Sequence, residues 1–162
     1  MDYSHKIVFD TGAFLAGLQN YYEKIYTSTL VINEIKDKKS RELLDLAIIA
    51  GKIIIMEPEE NIFKEIKKIA EKISAYNLSK TDLSIAALAY ELRPSIVFTD
   101  DLTLQNLLLN LGIEFKSVKL NIRIRNRKKY KFICKSCGKT FSRSYSSCPY
   151  CGNTIIVVSY NE

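Results

Sequence analysis

The 162-residue chain is predicted to be an α/β domain, a parallel sheet covered by helices, followed by a small β-rich module built around cysteines. Three observations predict it. Short β-favouring apolar runs alternate with helical stripes over the first 118 residues, the pattern of parallel strands joined by crossover helices. All four cysteines lie after residue 130. The charge divides near the same place. Residues 1–115 carry 13 Lys and Arg against 17 Asp and Glu, a net of −4. Residues 116–162 carry 11 against 1, a net of +10, which together give the overall +6. A basic segment on an acidic body points to a polyanionic partner for the C-terminal part.

The elements follow in order. Lys6–Phe9 reads as a first strand running into Asp10. Residues 11–18 follow as a helix, with Phe14, Leu15 and Leu18 on one face. Residues 26–29 are a short strand, and Ser28 or Thr29 caps a helix over 30–36 that carries Glu34. Ser40 opens a helix over 41–50, which Gly51 ends. Residues 52–56 are a buried strand. Residues 59–76 are a long amphipathic helix, with Ile62, Phe63, Ile66, Ile69, Ala70 and Ile73 at helical spacing. Ser79-Lys80-Thr81-Asp82 is a capping box opening a helix over 83–92, which Pro94 stops. A strand over 95–99 leads through Asp100 and Asp101 into the helix Leu102–Leu111. Gly112 caps that helix, and residues 113–118 form a last strand. Residues 119–131 alternate, then turn basic, and read as an extended connector. Residues 132–160 are short strands and turns around the cysteines, so the units are 1–118, 119–131 and 132–160.

In open α/β sheets, function gathers at the carboxyl ends of the strands. Asp10, Asp100 and Asp101 each follow a strand, and Asp82 and Glu34 are expected in first turns of helices facing the same edge. Carboxylates brought together repel and take up protons. A hard divalent cation, Mg²⁺ or Mn²⁺, removes that conflict, because it prefers oxygen ligands and keeps several waters. Such a site supports hydrolysis of a phosphodiester by in-line attack of water. Each acid has a rival reading. Asp82 completes the capping box, Asp10, Asp100 or Asp101 is a helix cap, and Glu34 is a solvated surface acid. The chain offers no competing chemistry: its one histidine, His5, reads as a surface residue. It has neither a Gly-rich phosphate loop nor a nucleophile elbow.

Cys134-Lys135-Ser136-Cys137-Gly138 and Cys148-Pro149-Tyr150-Cys151-Gly152 are two Cys-x₂-Cys-Gly knuckles, with ten residues between Cys137 and Cys148. Four thiolates complete a tetrahedral zinc site with no open position, so this zinc is structural. Two disulfides are the rival. The N-terminus lacks the basic-then-apolar layout of a signal peptide, which places the chain in the cytoplasm, where disulfides are rare. No apolar run approaches the roughly 20 residues that span a bilayer. Around the cysteines, Arg123, Arg125, Arg127, Lys128, Lys129, Lys131, Lys135, Lys139 and Arg143 mix with Tyr130, Phe132, Phe141, Tyr145 and Tyr150. Cations with aromatics suit a phosphate backbone and stacked bases. Of these, Arg123, Arg125, Arg127, Lys128, Lys129, Lys131 and Tyr145 are the candidate nucleic-acid contacts, while Phe132 and Phe141 are assigned to the module's core.

Ile-Val-Phe-Asp-Thr-Gly-Ala-Phe (7–14), Val-Ile-Asn-Glu-Ile (31–35), Leu-Ser-Lys-Thr-Asp-Leu-Ser-Ile-Ala-Ala-Leu-Ala (78–89) and Val-Phe-Thr-Asp-Asp (97–101) resemble PIN-domain ribonucleases in content and order. The resemblance covers about residues 5–118. It implies a three-layer α/β/α sandwich with site acids at Asp10, Glu34, Asp82 and, through a Thr-x-Asp pattern, Asp101. Asp100 then stands behind the metal or faces the substrate, and Thr11 and Thr99 orient ligands through their hydroxyls. With the connector and the zinc ribbon, the whole chain resembles the Nob (NIN-one-binding) endonuclease family in its compact archaeal form, a match strengthened by Thr-Asp-Asp-Leu-Thr-Leu-Gln-Asn (99–106). That resemblance implies a Mn²⁺- or Mg²⁺-dependent single-strand RNA endonuclease. Its task would be the mature 3′ end of small-subunit (16S) rRNA, made inside a pre-30S particle with a KH-domain assembly factor as partner. The products would carry 3′-hydroxyl and 5′-phosphate ends. Asp10, Asp82 and Asp101 would hold the cation, directly or through water, and Glu34 would orient the attacking water. Two alternatives stand beside it. A toxin-type PIN ribonuclease acting on tRNA or mRNA is disfavoured by the ribbon, and a non-catalytic RNA-binding assembly factor by the four intact acids.

Overall fold

The computed structural model describes residues 4–73, 75, 77–118 and 128–161. Five parallel strands form the main sheet in the order β3-β2-β1-β4-β5. They are β1 (Lys6–Phe9), β2 (Ile25–Thr27), β3 (Ile53–Ile55), β4 (Ser95–Phe98) and β5 (Glu114–Lys116). The helices are α1 (Thr11–Leu15), α2 (Thr29–Glu34), α3 (Lys38–Ile49), α4 (Glu60–Lys72), α5 (Lys80–Glu91) and α6 (Leu102–Leu111), with a 3-10 turn at Leu18–Tyr21. The chain steps outward from β1 to β3, then returns to β4 on the other side of β1. Right-handed crossovers therefore change faces at that return. Accordingly α1 packs with α3, and α5 packs with α4 and α6 while covering β1 and β4. The expected α/β/α layering is what results. No helix among the described residues is long and apolar enough to cross a membrane.

Several expected elements are shorter than their patterns. The first helix stops at Leu15 because Gly17 takes a left-handed φ of 75°. The strand expected over 52–56 is buried only at Ile53, and Ile55 is 43% exposed, because β3 is an edge strand. The long amphipathic helix ends at Lys72 and the last strand covers Glu114–Lys116. Glu34 is the last residue of α2, not part of a first turn, since Ser28 caps that helix and it runs only six residues. His5 is exposed and lies 3.8 Å from Glu114, as a surface residue should.

The order of the sheet makes β1 and β4 neighbours, with Phe9 opposite Phe98. Their carboxyl ends flank the point where the strand order reverses, the position at which α/β sheets open a crevice. An aromatic cluster lies beneath it. Phe9 meets Phe14, Phe98 and Tyr22 at ring separations of 5.3, 5.4 and 5.7 Å, each edge to face. The residues that follow, Asp10 and Thr99, thus start from a packed and buried pair.

A second sheet, order β7-β6-β8, is antiparallel and consists of β6 (Lys128–Cys134), β7 (Thr140–Phe141) and β8 (Ile155–Asn161). Lys128–Lys131, read in the sequence as connector, are strand residues paired with Val158–Asn161. Phe132 is the buried centre of this module, opposite Phe141 and Val157. Phe141 is only half-buried and belongs instead to a surface cluster with Tyr145 and Tyr150.

Candidate active site and metal centre

Asp10, Asp82 and Asp101 reach the carboxyl edge by the same device. Each caps a helix that starts there. Asp10 accepts from the Ala13 N–H at 3.0 Å, and Asp101 from the N–H groups of Thr103 and Leu104 at 2.8 and 3.0 Å. Asp82 accepts from the Ser79 N–H and hydroxyl at 2.9 and 2.6 Å, while Ser79 accepts the Asp82 N–H, which completes the predicted capping box. The cap reading and the site reading are therefore both true of these acids. Capping fixes a carboxylate at the end of a helix, and the topology aims those ends at one crevice. These caps use Oδ1 of Asp10 and Asp101 and Oδ2 of Asp82.

Threonines join the acids to one another. Thr99 is fully buried, hydrogen-bonds the Asp10 carboxylate, and accepts the Asp101 N–H at 3.1 Å. Gln105, itself buried, donates to the Thr99 carbonyl at 2.9 Å and holds the turn. Glu34 receives two hydroxyl bonds of 2.6 Å, from Thr11 on Oε2 and Thr81 on Oε1. Thr81 went unnoticed in the sequence, where it reads as an ordinary second residue of a capped helix. Asp100 turns another way. Its Oδ1 accepts from the Ser117 hydroxyl and the Val118 N–H at 2.6 and 2.7 Å, anchoring the chain just beyond β5.

Crowding shows in the titration of these groups. Burial pushes the Asp10 carboxyl up from 3.8 to about 6, and the charges of Asp82 and Asp100 add to the rise, against the Thr99 and Ala13 bonds. Asp82 is also raised, chiefly by burial, with the charges of Asp101 and Glu34 adding. Asp82 and Asp100 thus act on Asp10, and Asp101 and Glu34 act on Asp82. They do not form a closed cage: among the described residues the only group of three or more metal-ligating side chains within 4.8 Å of one another is the cysteine group. Fixed by their caps, the carboxylates stand apart. Such an all-oxygen donor set fits a hard cation that keeps waters between itself and some ligands.

The cysteine centre is closed. The Sγ atoms of Cys134, Cys137, Cys148 and Cys151 all lie within 4.8 Å of one another, with Cys134 to Cys151 at 3.4 Å and Cys137 to Cys148 at 3.7 Å. None is in a disulfide. Zn–S bonds of about 2.3 Å place tetrahedral corners about 3.8 Å apart, so these sulfurs match the geometry a metal ion demands. The two knuckles are built alike. Gly138 and Gly152 adopt φ of 71° and 72°, and their N–H groups bond the carbonyls of Cys134 and Cys148. That turn, which a Cβ would strain, aims the next amide at the second sulfur. The Asn153 N–H, with Cys134 adding, holds the Cys151 thiol down at about 6.

Of the candidate nucleic-acid contacts, Arg123, Arg125 and Arg127 lie outside the described residues. Lys128, Lys129 and Lys131 lie on β6. Tyr145 packs edge to face on Phe141, and Arg143 both donates to its hydroxyl at 2.8 Å and lies over its ring. Lys139 sits 3.3 Å over the ring of Tyr150, which is 68% exposed.

Residues 7–92 match the family model described as the PIN domain of ribonuclease. Endoribonuclease Nob1 of Pyrococcus abyssi is 35% identical over 156 residues, covering 94% of this chain and 93% of that one. This chain belongs to the Nob1 family of PIN-domain endoribonucleases. Within the wider set of relatives, Ribonuclease VapC1 of Thermoplasma acidophilum is 30% identical, covering 91% of this chain and 75% of that one. The 20S-pre-rRNA D-site endonuclease NOB1 of Saccharomyces cerevisiae is 37% identical over 75 residues, which are 46% of this chain and 16% of that one.

Proposed function

We propose that this Nob1-family chain cuts single-stranded precursor small-subunit rRNA at the mature 3′ end of 16S rRNA, within a pre-30S particle in the cytoplasm. The observation that carries the reading is similarity to Endoribonuclease Nob1 that runs through both the acidic edge and the four-cysteine module, over 94% of the chain. In this reading Asp10, Asp82 and Asp101 hold Mg²⁺ or Mn²⁺, directly or through water; the raised proton affinity of Asp10 and Asp82 supports it. The bound cation supplies charge neutralisation at the scissile phosphate and an activated nucleophile. Glu34, held by Thr11 and Thr81, orients the attacking water. Thr99 keeps Asp10 and Asp101 in register. Asp100 positions the start of the basic segment through Ser117 and Val118.

The four cysteines hold a structural Zn²⁺. The basic residues Arg123, Arg125, Arg127, Lys128, Lys129 and Lys131, with Tyr145, hold RNA, and a KH-domain assembly factor accompanies the chain on the particle. Water attack leaves 3′-hydroxyl and 5′-phosphate ends. The test is cleavage by the full-length protein, in Mn²⁺, of a precursor fragment spanning the mature 3′ end. The expected result is a cut at that end, reduced at least about a hundredfold in Asp10→Asn. Equal binding by both proteins without cleavage overturns the reading. The similarity to VapC1 supports a second reading, a toxin-type ribonuclease; preferential cutting of tRNA or mRNA over the precursor in the same assay selects it.

A further inference from the structure

The acidic edge by itself repels RNA, yet the α/β domain carries a basic cleft beside it. The cleft has a volume of about 660 Å³ and lies between α2, α4 and the start of α5. Leu30, Pro58 and Phe63 make its apolar side, and Lys64, Lys67 and Lys80 line the rest. Two acids also line it, and both are engaged. Glu57 accepts the Thr29 N–H at 2.8 Å, and Glu60 pairs with Lys64 at 2.6 Å. Lys67 and Lys80 are exposed and have no ion pair among the described residues. The three lysines outweigh the two acids of the lining by one charge, and Lys67 and Lys80 reach the cleft from two helices.

Cleft and acidic edge share a wall, the first turn of α5. Lys80 precedes Asp82 by two residues, about 3 Å of helical rise. Ser84 lines the cleft, donates to the Thr81 carbonyl at 2.6 Å and bonds Ser28 at 2.8 Å. Thr81 in turn holds Glu34. A half-buried ring with free cations beside it suits a splayed-out nucleotide, whose base stacks while its phosphates meet charge. A duplex, with its bases already stacked, gains nothing from Phe63.

We infer that this cleft holds the single-stranded RNA segment adjoining the bond that is cut, with phosphates on Lys67 and Lys80 and a base against Phe63. The assignment of that segment rests on the ribonuclease reading of the acidic edge. The test uses full-length protein carrying Asp10→Asn and a fluorescent single-stranded RNA oligonucleotide, titrated in Mg²⁺ across a salt series. Replacing both Lys67 and Lys80 by Ala should weaken binding and reduce the slope of log K against log [salt] by about 1.4, roughly 0.7 per lost phosphate contact. Phe63→Leu, which keeps the packing, should weaken binding roughly tenfold with the slope unchanged. Unaltered affinity and slope in these variants overturn the cleft. So does an equal fall in slope when Lys38 and Lys39, on α3, are replaced instead. Cleavage by the parent protein is read in parallel. A parent that cuts while the lysine variant keeps its slope removes the cleft and leaves the ribonuclease reading standing. A reduced slope on a parent that does not cut does the reverse.

Discussion

The two centres of this chain are assembled in opposite ways. The four cysteines come from two knuckles within 18 residues, and their turns together with the pairing of β6 and β8 bring the sulfurs within 4.8 Å of one another. The acids at 10, 34, 82 and 101 come from segments spread over most of the α/β domain, and helix caps and threonine hydroxyls fix them at one edge. A thiolate cage that closes around an ion would stabilise a module too small to build a sufficient core of its own. An oxygen site for a hydrated cation works with its ligands spaced, because water fills the gaps. The cysteine centre lies within one small module, whereas the acidic edge is held in place by the fold of the α/β domain.

That contrast breaks most easily at the cysteines. Cys134→Ser, or metal removal by a strong chelator, should cost the ribbon on the order of 10 kcal/mol of folding free energy. Hydrogen exchange should then show β6 and β8 unprotected while β1 and β4 keep their protection. Simultaneous loss of protection in both sheets means that the centres are not independent.

The acidic edge should respond in the other direction, gaining stability when a charge is removed. The folded Asp10 carboxyl titrates at about 6 against an ordinary 3.8. Between those values the folded state binds a proton that the unfolded chain has released. Stability from this group is thus full below pH 4 and lost as pH rises through 6, a change of up to about 3 kcal/mol at 1.36 kcal/mol per pKa unit. Asp10→Asn keeps an oxygen for the Ala13 cap and removes the charge. Its melting temperature without divalent cation should exceed that of the parent at pH 8, and the gap should vanish near pH 4. Mg²⁺ at pH 8 should raise the parent and leave the variant unmoved. A gap independent of pH contradicts the crowding at this edge.

The smallest effect sharpens the role of the caps. Ser79→Ala removes both hydroxyl bonds with Asp82 and leaves the bond from the residue-79 N–H; it should destabilise the protein by about 1 kcal/mol, a shift of a few degrees in melting temperature for a chain of this size. The cleavage rate should fall further than that stability loss explains, because Asp82 loses its aim. A rate that follows stability alone makes Ser79 a cap and nothing more.

Much of this was legible before the fold was known, for reasons that differ by residue. The Cys-x₂-Cys-Gly knuckles, the capping box at Ser79 and the helix stop at Gly112 are local chemistry, written within five residues each. Glu34 closes α2 rather than opening it, because Ser28 caps the helix and it ends after six residues. Phe141 was assigned to a core, whereas the neighbouring tyrosines hold it at the surface.

By itself, then, the sequence determined the elements, the cysteine centre and the charge division between the two parts, since each depends on neighbours along the chain. Only the tertiary structure decided that Thr99 joins Asp10 to Asp101, that Thr11 and Thr81 meet on Glu34, and that Lys67 and Lys80 line one cleft. Those contacts join residues from separate strands and helices, and their distances exist only once the order β3-β2-β1-β4-β5 has set which ends lie side by side.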